Sequence, residues 1–212
     1  MFWGPAHIYP SGWPESAVTT PRLFPLIAWA TLAATALPST AAPNPQETLR
    51  TEEEARAILV SRLGDYTAWP ERNPKDPSRP FIIGILGEFS ARRELLLQVA
   101  NKTIKGRRIE VVWLTSIRPS SLQACDILFI CESEQDRLQD VLSICRSHPI
   151  LTVAGAEGSA RAGVMVGLFV KEGRLNLQVN LVAARTAGIE LSPAFLARMR
   201  TQIVGGPEGK AP

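Results

Sequence analysis

At 212 residues, 45% hydrophobic and 20% charged, the chain can bury a real core, which excludes an intrinsically disordered polypeptide. Its formal charge of +3 is spread thinly, with basic pairs only at Arg92-Arg93 and Arg107-Arg108. This argues against nucleic acid as a partner, which would call for a clustered basic stripe, and both pairs read as solvated loop charge.

From Leu23 to Leu37 the chain runs fifteen residues without a charge, preceded by Arg22 and followed by Pro38-Ser39-Thr40-Ala41-Ala42-Pro43. An apolar run of that length closed by small residues is the pattern of a secretory signal peptide, and it is short of the ~20 residues of a membrane span. Residues 1–42 are therefore read as a signal peptide, with a long lead that a start nearer Arg22 would explain. The alternative is an uncleaved anchor that leaves the domain tethered on the same, exported side of the membrane.

Residues 43–204 are read as a single α/β domain and 205–212 as a loose tail. Pro45 and the acids Glu47, Glu52, Glu53 and Glu54 open a helix whose apolar stripe is Ala55, Ile58, Leu59, Arg62, Leu63 and Tyr66. Thr67-Ala68-Trp69-Pro70 ends it, and the charged, proline-rich stretch Glu71 to Pro80 is a loop. Trp69 reads first as a core plug and second as a partner contact. Phe81 to Leu86 is a strand, followed by a helix from Ala91 to about Lys102 with Ser90 as N-cap. Gly84 and Gly87 match neither a dinucleotide-binding glycine pattern nor a phosphate loop.

Ile109 to Thr115 is a second strand and Ser116 to Ala124 a short helix or loop. Cys125-Asp126-Ile127-Leu128-Phe129-Ile130-Cys131 is an apolar strand covered on both faces and placed at the centre of the sheet. In the helix that follows, Leu138, Val141, Leu142 and Cys145 share one face, and Pro149 stops it. Ile150 to Ala154 is a fourth strand. After the small-residue loop from Gly155 to Gly163, Val164 to Val170 and Arg174 to Asn180 form an antiparallel hairpin. A helix over 180–187 is closed by Gly188, and Ser192-Pro193 opens a last helix through about Ile203. The alternation predicts a three-layer α/β fold: a mostly parallel sheet of about six strands, helices on both faces, and an antiparallel edge hairpin.

Several segments carry a family resemblance: Tyr66-Thr67-Ala68-Trp69-Pro70, Ile83-Gly84-Ile85-Leu86-Gly87, Gly106-Arg107-Arg108-Ile109-Glu110-Val111, Cys125-Asp126-Ile127-Leu128-Phe129-Ile130, Leu151-Thr152-Val153, and the stretch from Asn180 to Ile189. In this order and spacing, the chain from about Ala55 to Ile203 resembles the YfiR-like family. These are small exported bacterial proteins, of which the named member restrains a membrane-bound diguanylate cyclase. The resemblance implies a periplasmic α/β domain, not an enzyme, whose partner is a membrane sensor, a cyclase or kinase, met through its periplasmic part; a homodimer stays open. The chain departs from the family around the glycine-rich loop, with Gly163-Val164-Met165-Val166-Gly167-Leu168 in place of the usual strand and Ser159 in place of a phenylalanine.

Three cysteines leave an odd one in an exported chain. A helix from Glu134 to Cys145 spans about 17 Å and the Cys125 to Cys131 strand ~20 Å, so the returning helix brings Cys145 near Cys125. A Cys125 to Cys145 disulfide is one reading; three separate buried thiols is the other. No cofactor or metal site is expected. Beyond the signal-peptide segment His148 is the one histidine that could serve a nucleophile as base, and no C-x-x-C pair is present. Glu88 and Glu132 each follow a strand's end, where open α/β sheets bind ligands. They are candidates for a partner or ligand surface together with Trp69, Gly155, Ser159, Gly163 and Met165. Two functions remain: a regulator that restrains a membrane signalling enzyme, and a periplasmic small-molecule sensor component. Mass spectrometry of the exported protein is expected to find a new N-terminus close to Ala41 or Ala42.

Overall fold

The computed structural model describes residues 45–70, 79–171, 174–198 and 201–204. Residues 1–44, which include the segment read as a signal peptide, together with 71–78, 172–173, 199–200 and 205–212, lie outside the described residues.

Four parallel strands make the centre: β2 (Phe81–Leu86), β4 (Arg107–Leu114), β5 (Ile127–Ile130) and β6 (Leu151–Ala154). β2, β5 and β6 are buried, largely apolar and rich in branched residues, as strands covered on both faces must be, whereas β4 carries Arg107, Arg108 and Glu110 and is mostly half-buried. They are linked by helices α2 (Arg92–Val99), α3 (Pro119–Gln123) and α4 (Leu138–Cys145). β2 lies between β4 and β5, and β6 follows beyond β5. The chain thus steps from β2 to one side and then returns to build on the other. With crossovers of constant hand, that reversal puts the connecting helices on opposite faces.

Side chains divide accordingly with a period of two. Ile83, Ile85, Ile127 and Phe129 enter a core with α2 and with α1 (Pro45–Leu63), while Leu128 and Ile130 enter a second core with α3 and α4. The predicted α4 stripe is confirmed, since Leu138, Val141, Leu142 and Cys145 are all buried. The predicted α1 stripe is turned: Arg56, Ala57, Leu59, Val60 and Leu63 are buried, and Ile58 is exposed. Arg56 goes inward because carboxylates meet it there, which rotates the helix away from its purely apolar face.

Among the described residues the sheet has eight strands where about six were expected: with β3 (Thr103–Ile104), β7 (Val166–Lys171), β8 (Arg174–Asn180) and β10 (Thr201–Val204), the order is β10-β8-β7-β6-β5-β2-β4-β3. Two short edges were not predicted. β3 (Thr103–Ile104) folds back on β4 where a polar turn was expected, with Asn101, Lys105 and Gly106 in left-handed conformations. At the other end the expected last helix is only α6 (Pro193–Arg198), and β10 (Thr201–Val204) pairs parallel to β8 (Arg174–Asn180). The antiparallel pair of β7 (Val166–Lys171) and β8 is therefore one strand in from the edge. Apart from the sheet, β1 (Thr67–Ala68) pairs with β9 (Glu190–Leu191), closing the end of α1 onto the segment before α6.

Caps also differ in part. Asn180 accepts from the Ala183 N–H and caps α5 (Leu181–Thr186), with Gly188 at φ +70 beyond it, as expected. Ser90 does not cap α2; Ala91 occupies that position without a side-chain bond. Gly84 is required by packing, because a Cβ there would sit 2.4 Å from the Cys125 sulfur. Gly84→Ala is expected to lower stability by about 1–3 kcal/mol, as overpacking does, with Cys125→Ala restoring part of it. Urea denaturation of the two single variants and the double variant measures this.

Candidate functional site

The point where the sheet reverses direction is the crevice between the carboxyl ends of β2 and β5, the place where open α/β sheets bind ligands. Gly87 and Glu88 leave β2 there, Cys131, Glu132 and Ser133 leave β5, and Gly155 leaves β6. Gly87 turns at φ +95, and a Cβ on it would lie 2.5 Å from the Ser133 hydroxyl. That close approach lets the Glu88 N–H donate to Ser133 Oγ at 3.0 Å.

Arg56 of α1 reaches into this crevice with its side chain only 9% exposed. One guanidinium nitrogen is paired with Glu53, while the other donates to Glu132 Oε1 at 3.0 Å and to the Gly155 carbonyl at 3.4 Å. Burying an arginine is tolerable only with such partners. Burial holds the Glu53 carboxyl above the usual carboxylate range, against the opposing pull of Arg56. The Arg56 Nε has no hydrogen-bond partner among the described residues. The cavity beside it has a volume of about 220 Å³ and is lined by Glu53, Arg56, Glu88, Glu132 and Gly155 among others. A more open cleft of about 680 Å³, toward Arg92 and Thr115, shares Glu88 with it. Such an arrangement can hold a ligand with donors for the carboxylates and an acceptor for Arg56 Nε.

Of the residues singled out in the sequence, Glu88, Glu132 and Gly155 thus come together, and Arg56 and Glu53 join them, Arg56 lying 76 positions before Glu132. Nothing in the acidic helix segment distinguishes Arg56 from a solvated charge. Gly163 and Met165 lie elsewhere, lining a cavity between α4 and α5. Ser159 is fully buried against Gly167 and offers no surface to a partner. Trp69 is a core plug: its ring meets Phe81 edge-on at 5.3 Å, with Lys105 Nζ 5.5 Å above it.

The basic pairs are not plain solvated charge. Arg107 binds Asp126 through two bonds of 3.0 and 2.7 Å and donates to the Pro80 and Arg79 carbonyls. Arg92 lies 4.2 Å over the Trp113 ring.

All three cysteines are free and buried, so of the two readings the three separate thiols hold and the Cys125 to Cys145 bridge is absent. The two do share one core, with Cys131 in the other. Cys125 fills the space left by Gly84 and donates to the Ser121 carbonyl at 3.4 Å, which occupies its sulfur without a bridge. Burial, with Cys145 adding to it, pushes the Cys125 thiol up to about 12. Burial, then Glu53, takes Cys131 to about 12, and burial takes Cys145 to about 11.

Comparison with known proteins finds that the profile of the YfiR/HmsC-like family matches residues 53–198, more than half of the chain. No curated protein matches. Two solved structures are distantly similar to part of the chain. One is the ABC domain in complex with L-Trp from Streptococcus pneumonia, at 12% identity and TM-score 0.49, covering 70% of this chain and 60% of its own. The other is a conserved domain protein from Vibrio cholerae O1 biovar El Tor strain N16961, at 15% identity and TM-score 0.49, covering 71% and 60%. The chain therefore spans about 60% of the length of these structures. At pH 8 the folded protein is expected to resist iodoacetamide at all three cysteines and to take up three labels when denatured, because thiolate is the reactive form. Intact-mass spectrometry reads the count, and a species with two cysteines bridged would contradict it.

Proposed function

We propose that this chain, which belongs to the YfiR/HmsC-like family, is a periplasmic regulator that binds the exported part of a membrane-anchored diguanylate cyclase and holds it inactive. The observation that carries this reading is the family match across residues 53–198. Export through the 1–42 segment fits it. Among the described residues no helix is long and apolar enough to cross a membrane, so contact with a membrane enzyme would be made by docking.

The strand-end crevice is the surface we assign to that docking. Glu88 is exposed, the Glu132 side chain is 58% exposed, and both stand on backbone fixed by Gly87, Ser133 and Gly155. Charge placed on rigid backbone discriminates partners better than charge on mobile loops, because misplaced charges cannot relax away from a wrong partner.

A second reading keeps the same crevice as a small-molecule sensor site, favoured by the buried Arg56 Nε that lacks a partner. The two separate cleanly. Under the regulator reading, deletion of the gene raises cyclic di-GMP, and the tagged protein retains a membrane cyclase that Glu88→Lys releases by at least roughly ten-fold. Unchanged cyclic di-GMP on deletion would sink the cyclase role. A thermal shift with added metabolites, lost in Arg56→Met, would then favour the sensor.

A further inference from the structure

The cavity between α4 and α5 has no lining residue in common with the strand-end crevice and a different character. Its volume is about 410 Å³, within the range of ligand sites. Leu142 and Cys145 of α4 form one wall and Val182 and Ala183 of α5 the other, over a floor that includes Met165. Val182 is 55% exposed, so apolar surface continues to the cavity mouth.

Thr152 and Asn180, the polar side chains buried around it, already have hydrogen-bond partners. Thr152 Oγ1 accepts from the Met165 N–H at 3.1 Å. Asn180 donates to the Ala160 carbonyl and accepts from the Ala183 N–H, each at 2.9 Å. At the rim, Gln139 donates to the Ala162 carbonyl at 3.1 Å and the Thr186 hydroxyl to the Val182 carbonyl at 2.9 Å. The floor therefore asks nothing polar of a ligand. The guanidinium of Arg146, exposed at the same rim, has neither a hydrogen bond nor an ion pair among the described residues. An apolar chamber with a single uncommitted guanidinium at its mouth is complementary to one chemistry, an alkyl body ending in an anion that the planar fork can grip.

We infer that this cavity binds a medium-chain fatty acid anion, its alkyl chain between α4 and α5 and its carboxylate on Arg146. The site adjoins Gly163 and Met165 and stands independently of which enzyme the protein restrains.

Decanoate below its micelle concentration, added to the full exported chain with ¹³C-methyl methionine, tests this. Saturable movement of the Met165 methyl signal is expected, tightening by about four-fold per methylene from hexanoate to decanoate, as burial of each CH₂ requires. Decanol and the Arg146→Gln variant should each weaken binding by roughly three- to ten-fold, as loss of an exposed charge-assisted pair implies. Decanol should bind wild type and Arg146→Gln alike. Ala183→Phe, which fills the cavity, should abolish the shift. No saturable Met165 shift with decanoate overturns the proposal. So does decanoate affinity unchanged in Arg146→Gln, a change that leaves the core untouched. Should Ala183→Phe not fold, the Arg146→Gln and chain-length results decide alone.

Discussion

The carboxylate of Asp126 holds the start of three adjacent parallel strands together. It accepts from the Ile82 N–H at 2.8 Å on β2 and takes both arms of the Arg107 fork from β4, while its own backbone opens β5. The Asp126 N–H donates to the Ile82 carbonyl at 2.8 Å, closing the knot. Parallel strands joined by long crossovers have no turn to set their register, so a fixed point at one end must do it. Here the pairings Phe81 with Ile109 and Ile83 with Ile127 follow from it, and Leu86 falls level with Ile130 and Ile130 with Ala154. The crevice at the far end is assembled by this alignment.

The two ends of the sheet use the same chemistry to opposite effect. Arg107 is bound in a bidentate pair and by two carbonyls, so its charge is spent on structure. Arg56 is paired as well, but Nε remains unmatched, and Glu132 is largely in solvent. A buried polar atom left without a partner costs free energy, and it persists where something else sets the geometry. Gly155 fits this view, because a Cβ there would lie 3.4 Å from Glu132 Oε1 and 3.6 Å from the Arg56 guanidinium carbon.

Much of the fold could be read from the sequence because its strands are long in apolar branched residues and its helices end on Pro149 and Gly188. The α4 stripe emerged from spacing alone. What stayed hidden depends on distant contacts. Arg56 turns inward only because Glu132, 76 positions on, is waiting there. Arg107 looked solvated because its partner Asp126 belongs to another strand. The last strand was missed for a different reason: the helix opened by Ser192-Pro193 was carried through to about Ile203, although Thr201-Gln202-Ile203-Val204 holds three β-branched residues of four, which favour a strand. The site was half visible. Position after a strand identified Glu88 and Glu132, whereas Ser159 was chosen as a difference from the family and proves to be interior.

The placement of β10 has a bearing on how this protein can assemble. The family match ends at residue 198, before β10 begins at Thr201. A chain that stopped at the family boundary would present the long β8 as a bare sheet edge, open to an incoming strand from another molecule. In this chain that edge is occupied from Leu177 to Asn180 by its own C-terminal residues. Strand addition along Leu177 to Asn180 is thereby closed to any partner unless β10 is first displaced.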